Sequence, residues 1–336
     1  MKIDAFCHIL PRAYADAMAE LDPAAAANIR ARIAGVPSLV DLDLRFRQLE
    51  EFGEYRQIIS LPAPAPEDLG SPAVARAMAR LGNEGLAELV AAHPDHFAGF
   101  VAALPLNDVD GTLEEVDHAC GALGALGVQT YTHVNGIPFD DTRFEPFFAK
   151  MAALDRMIWV HPNRDASWAD YPTEDRSRYE VWWVFGWPYE TAVYMARIVF
   201  GGVLERHPEL KVLIHHGGSM VPHFAGRVGP GWDQLGARTP PDRREEVEHY
   251  PLSARPLEYF KRFYVDTAHF GAAHALRCSL EFFGVERALF ASDSPFDPEK
   301  GPGYIRATIE NIESLGLSDG DREAIYEGNA KRIIGL

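Results

Sequence analysis

Cysteine is scarce in this chain: of 336 residues only Cys7, Cys120 and Cys278 are cysteines, an odd number with no spacing of the metal-knuckle kind. A disulfide framework and a cysteine-held zinc site are thereby set aside, and a reducing compartment, by default the cytoplasm, is expected. Long apolar runs are lacking too. The most apolar stretch, "VWWVFGWPYETAVYMARIVFGGVL", is broken by Pro188, Glu190 and Arg197, and the chain opens directly on a strand-like segment without a basic-then-apolar leader. Neither a membrane span nor an export signal is expected. Positive charge is short as well: 32 Lys and Arg stand against 49 Asp and Glu, for a net charge of -17, with no local basic cluster. Such a surface repels nucleic acid and anionic membranes, which leaves a small molecule as the expected partner.

What is present suits a soluble globular fold, with 47% hydrophobic and 24% charged residues. Short β-rich runs alternate with helical patterns. The candidate strands are "KIDAF", Arg56 to Pro62, Phe97 to Pro105, Gly127 to Thr132, Met157 to His161, Lys211 to His216, Arg262 to Ala268 and Ala288 to Asp293. Between them lie helical windows such as "DLRFRQLEEFG", with Asp43 as N-cap and Gly53 as terminator, and Asn83 to Pro94. Eight strand-helix units over residues 1–336 predict an α/β fold of one domain, a distorted (β/α)8 TIM barrel, in preference to an open doubly wound sheet. The long segments from Pro162 to about Glu190 and from about Gly229 to Tyr259 are expected to lie over the catalytic face.

Polar residues fall in register with this scheme. His8, His161, His216 and Asp293 each sit at or just past the C-terminal end of a predicted strand, the end at which barrel enzymes keep their chemistry. Alone, each is more readily a hydrogen-bonded structural residue or a helix cap; four in register point to a site. On β alternation Asp4, Phe6 and His8 share one face of the first strand, with Ala5 and Cys7 on the other, and the adjacent His215 and His216 face opposite sides.

The segments "KIDAFCHILP", "GVQTYTHVNG", "WVHP", "GGVLERHPELKVLIHHGGSMVPHFAGRV", "FYVDTA", "LFASDSPF" and "GNAKRIIGL", in this order, resemble the decarboxylase branch of the amidohydrolase superfamily over nearly the whole chain. That group includes aminocarboxymuconate-semialdehyde decarboxylase, the resorcylate and related hydroxybenzoate decarboxylases, and some hydratases. The resemblance implies one divalent metal at the barrel mouth, with His8, His161 and Asp293 as ligands and His216 as the histidine beside metal-bound water or substrate. It also implies that Arg45 and Arg227 hold substrate carboxylates, Arg227 from a neighbouring subunit. Phe6 departs from the pattern, standing where the family places a further strand-one ligand.

Two imidazoles, a carboxylate and an open position suit zinc and also accept manganese or magnesium with extra waters; a metal-free hydrogen-bonded pocket is the bland alternative. Arg45 falls in the first turn of its helix, where the dipole disfavours a cation by ~0.3–1 kcal/mol. A substrate carboxylate or an ion pair with Asp41 would offset that. The aromatic cluster "YEVWWVFGWPYE" reads as core, or as a subunit contact that also roofs the pocket. The expected activity is metal-dependent, cofactor-free decarboxylation of an aromatic or conjugated cyclic carboxylic acid by a homodimer or higher homo-oligomer, with Asp293 or His216 supplying the proton and Phe6 forming an apolar wall. The alternatives are a hydrolase or hydratase of a cyclic ketone, lactone or unsaturated acid, and a degenerate barrel kept for binding.

Overall fold

The β-branched and aromatic runs form one parallel sheet in the computed structural model, which describes residues 1–21 and 23–336. Its strands are β1 (Lys2–His8), β2 (Tyr55–Ser60), β3 (Phe97–Ala102), β4 (Gly127–Tyr131), β5 (Met157–His161), β6 (Val212–Ile214), β7 (Tyr264–Asp266) and β8 (Ala288–Leu289), neighbours in chain order. Backbone bonds from Ala5 N to Phe290 O and from His8 N to Ser294 O, both 2.8 Å, join β1 to the chain leaving β8 and close the sheet. With helices such as Pro72–Ala92, Gly186–Phe200 and Ala273–Phe283 between strands, this is the expected (β/α)8 barrel.

A small apolar cluster fills the barrel, with Ile3, Ile58, Val101, Trp159, Leu213 and Leu289 each coming from a different strand. Trp159 is the largest of the fully buried side chains, and its indole Nε1 donates to Ala5 O across the interior at 3.0 Å. Gly127 makes room for it, since a Cβ at that position would overlap Met157 O and the Trp159 ring. The final helix, Asn329–Ile334, adds Ile333 and Ile334 to this cluster, and Lys211 Nζ bonds Ile333 O at 3.2 Å, which closes the end of the barrel away from the site. A larger cluster packs the outer faces of the strands against the helices.

Several local expectations are corrected. The last three strands are shorter than their apolar runs. Ladder pairing stops at Ile214, Asp266 and Leu289, and His216 and Asp293 take left-handed backbone conformations, with φ of 55° and 63°. Such angles are uncommon outside glycine and end a strand, turning these side chains toward the mouth. In β1 the register shifts between Asp4 and Cys7, a bulge that breaks strict alternation. Ala5 and Phe6 therefore both belong to the interior cluster, whereas Asp4 points outward to the Tyr55 and Ser292 hydroxyls. Phe6 and His8 share a face as expected; Asp4 does not share it. The helix Leu42–Leu49 is capped by Asp41, which accepts from Leu44 N at 2.9 Å, two residues earlier than the expected Asp43. The window starting at Asn83 is the second half of the longer helix Pro72–Ala92.

Candidate metal centre

His8, His161 and Asp293 come from the ends of β1 and β5 and the loop after β8, and they bring one ligand atom each to within 4.8 Å of one another. All three are buried. His161 Nδ1 lies 2.7 Å from Pro162 O, a carbonyl that can only accept, so Nδ1 carries the proton and Nε2 is left with its lone pair. At His8 the Ser60 hydroxyl contacts both Cys7 O (3.3 Å) and His8 Nδ1 (3.2 Å). With Ser60 donating to the carbonyl, it accepts from Nδ1–H, and His8 Nε2 stands bare 3.0 Å from Asp293 Oδ1. Two acceptors that close require a shared proton or a cation between them. Such second partners, which fix the tautomer, are those that metal-ligating histidines use.

Electrostatics agree with this assignment. Burial pushes the His161 pKa well below its ordinary value, against the pull of Asp293, which keeps the ring neutral as a ligand must be. At Asp293 burial pushes upward, but the facing imidazoles of His8, His216 and His161 outweigh it and hold the carboxyl well below the usual carboxylate range. The donor set thus fits a divalent cation, with two neutral imidazoles, one carboxylate and open positions toward the cavity.

His216 and His215 both approach this triad. The expectation that only one could enter fails because β6 ends at Ile214, before either of them. Their rings lie 5.6 Å and 5.9 Å from that of His161. His216 Nδ1 donates to Ala268 O at 3.2 Å, which leaves Nε2 buried, unpartnered and on the cavity wall. His215 lies deeper. Its Nδ1 is 2.5 Å from Asp266 Oδ2, and its ring stacks on Phe6 at 3.5 Å. The "HGG" motif has a steric reason: Gly217 has a φ of 59°, and a Cβ there would overlap the His269 ring.

The remaining candidates are placed differently from one another. Phe6 is 0% exposed and does not line the cavity; it lies beneath the triad, edge-on to His8 at 4.6 Å. Arg45 is buried behind β1, where it donates to His8 O (2.8 Å), Ser38 O (3.3 Å) and Gln57 Oε1 (2.7 Å). The structure gives it neither an ion pair with Asp41 nor a place on the cavity wall. Arg227 is exposed in an adjoining surface groove, over the Phe224 ring at 5.9 Å. Phe224 and Met220 line both the groove and the cavity.

The cavity above the triad has a volume of about 910 Å³. Trp182, Trp183, Phe185 and Trp187 roof it, so the aromatic cluster of the sequence is brought over the site. Arg32, His269 and Tyr304 also line it. Sequence reasoning missed Arg32 and Tyr304 as site residues. Arg32 lies in an alanine-rich helix that reads as an ordinary surface element, and Tyr304 opens a helix well past the "SDSP" loop.

A barrel with a His, His, Asp centre at its mouth defines a metal-dependent enzyme of the amidohydrolase type, and the family model described as Amidohydrolase matches residues 3–336. The chain belongs to that family, in its decarboxylase branch. It is 30% identical to the gamma-resorcylate decarboxylase of Polaromonas sp. (strain JS666 / ATCC BAA-500), over 89% of each chain. It is 28% identical to the 2-amino-3-carboxymuconate-6-semialdehyde decarboxylase of Dictyostelium discoideum, over 100% of this chain and 92% of the relative. Among solved structures, a dihydroxybenzoic acid decarboxylase from Polaromonas sp. JS666, with bound manganese and the inhibitor 2-nitroresorcinol, superposes with a TM-score of 0.77 at 25% identity, over 100% of this chain and 97% of that one.

Proposed function

We propose that this enzyme removes carbon dioxide from an aromatic carboxylic acid seated above His8, His161 and Asp293, which together hold one divalent ion. The observation that carries this reading is the convergence of three buried donors within 4.8 Å at the floor of an aromatic-walled cavity. When bound, the ion supplies an electron sink for the carbanion left by loss of carbon dioxide. The donor set suits zinc, and manganese is the ion held by the Polaromonas relative.

The chain's own residues supply the rest. Ser60 and Pro162 O fix the ligand tautomers. His216, tethered through Nδ1 to Ala268 O, presents Nε2 to the cavity and is the group placed to deliver a proton to the vacated carbon; Asp293 is the second candidate. The aromatic rings of Trp182, Trp183 and Trp187 give the cavity apolar walls, which favour the neutral product over the charged substrate. The exposed rings of Phe185 (67%), Tyr189 (54%) and Phe224 (40%) beside Arg227 suit a contact with a second copy of the chain, in which Arg227 would reach the neighbour's cavity. The free thiols at Cys7, Cys120 and Cys278 suit the cytoplasm. Among the described residues, no helix is long and apolar enough to cross a membrane.

The test is a panel of hydroxybenzoic acids incubated with metal-loaded enzyme in heavy water. Release of carbon dioxide with deuterium at the vacated ring carbon is expected, with kcat/KM lowered at least ~100-fold in His216→Asn. Consumption of an acid without carbon dioxide release would instead mark a hydratase or hydrolase.

A further inference from the structure

One wall of the cavity is a ladder of rings leading away from the triad. The ring of Phe270 lies 5.1 Å from that of His216, and the ring of Tyr304 lies 4.5 Å from that of Phe270, so Tyr304 stands two ring contacts from the His216 imidazole. All three residues line the cavity. Phe270 follows β7 with a φ of 51°, a left-handed conformation that is an outlier for so bulky a residue and persists only where the surroundings enforce it. Here they do: His216 Nδ1 donates to Ala268 O at 3.2 Å on one side, and Ala272 N donates to His269 O at 2.9 Å on the other. The turn leaves the Phe270 ring on the cavity wall and 41% exposed.

A benzoic acid seated over His8, His161 and Asp293 covers only part of this wall. The cavity's volume of about 910 Å³ lies in the upper part of the range, roughly 300–1,000 Å³, that takes drug-sized ligands. Trp183, like Phe270, lines it and stays exposed, and a contiguous apolar patch inside a concave site is surface kept for a ligand. The far end of the ladder carries a polar group. Tyr304 opens the helix Gly303–Ser314, and no side chain among the described residues bonds its hydroxyl. Burial first, then the charges of Asp293 and Asp297, push its pKa up, so the hydroxyl remains a donor. The same two carboxylates disfavour an anion beside it, which leaves a neutral oxygen as the partner that fits.

We infer that the substrate is an extended aromatic acid of two rings: the ring that loses carbon dioxide lies over the triad, and a second ring packs on Phe270, with a neutral oxygen substituent accepting from the Tyr304 hydroxyl. This deepens the proposed decarboxylase reading and rests on it for which end of the ligand reacts. Offset stacking on Phe270 secures the second ring, and the Tyr304 hydrogen bond sets how far the ligand extends along the wall. Phe270 and Tyr304 are thus specificity residues, and neither takes part in bond breaking at the triad.

The experiment measures binding by calorimetry to manganese-loaded protein, with benzoate, biphenyl-3-carboxylate, biphenyl-4-carboxylate and the 4'-hydroxy derivatives of both biphenyl acids. Wild type is expected to bind at least one biphenyl acid about ten or more times more tightly than benzoate, and its hydroxy derivative roughly fivefold more tightly again. The first preference should fall about tenfold in Phe270→Ala. The second should vanish in Tyr304→Phe, which keeps the ring and its packing. Benzoate bound as tightly as both biphenyl acids in wild type, or either preference surviving its own substitution, overturns the inference. Because binding is read without turnover, these preferences in a protein that releases no carbon dioxide would sink the decarboxylase reading and leave this one standing. Release of carbon dioxide from one-ring acids without the preferences would do the reverse.

Discussion

The phenyl ring of Phe6 lies flat on the imidazole of His215, with centroids 3.5 Å apart, and meets His8 edge-on at 4.6 Å. Where a further ligand would stand, the chain has built a packed aromatic layer. His215 is fixed from its other side by Asp266, whose carboxyl burial pushes upward but the His215 bond holds below its ordinary range. Phe6→His should therefore tighten metal binding yet lower turnover, because the new ring disturbs this layer and occupies a coordination position the substrate needs. Phe6→Leu should be tolerated better, whereas Phe6→Ala should cost about 3–5 kcal/mol through the cavity it leaves. Metal affinity and turnover measured side by side decide this, and higher turnover in the His variant would contradict it.

Arg45 acts through His8 in this structure. Its Nη1 fixes the carbonyl of a residue of the proposed metal triad from behind the sheet, and Gln57 holds its Nε. Arg45→Met should lower thermal stability by about 3 kcal/mol, as expected when a buried charged hydrogen-bonding group is removed, and weaken metal binding. Substrate KM measured at saturating metal should change little. A large rise in KM with unaltered metal affinity would return Arg45 to the substrate.

Glu67 lies buried in the loop after β2 with neither carboxyl oxygen partnered, and burial pushes its pKa up to about 8. The unfolded chain releases this proton near pH ~4.3, so across the window from there to about 8 the folded state holds the extra proton. Stability from this group is thus full below the unfolded value and declines as pH rises through the folded one. Glu67→Gln should melt several degrees above wild type at pH 9, with the difference closing near pH 4. A difference in melting temperature that does not vary with pH would refute the assignment.

The exposed rim of Phe185, Tyr189 and Phe224 gives a prediction about assembly. Phe185→Glu with Tyr189→Glu should convert a dimer to monomers in sedimentation. Mixing inactive Arg227→Ala and His161→Ala subunits should restore part of the activity if Arg227 works on the neighbour's site. No recovery in verified mixed dimers would confine the site to one chain.

How far the site could be read ahead of the structure follows from how local each signal is. His8, His161 and Asp293 could be placed at one end of the barrel because each ends an apolar run, and parallel strands bring such ends together whatever lies between. The faces of Asp4 and Ala5 depart from strict alternation because a bulge is a one-residue event that leaves no mark in a hydrophobic pattern. Strand alternation does not govern His215 and His216, because the strand stops before them at Ile214. Arg45 looked like a substrate cation because its place in the helix could be read while its direction, inward to His8 O, could not. Arg32 gives no signal in the sequence, since its place on the cavity wall comes from the packing of its helix against the loop after β2, at Ala63 O 31 residues on.

Metal content and its consequence test the central claim most directly. Protein purified without added metal and analysed by mass spectrometry should hold about one divalent ion per chain. Both His161→Ala and Asp293→Ala should lose it while remaining folded. Carbon dioxide release by wild type should stop in excess chelator and return with added manganese or zinc. Wild-type protein that contains no metal, remains folded and decarboxylates at full rate in chelator would contradict the account.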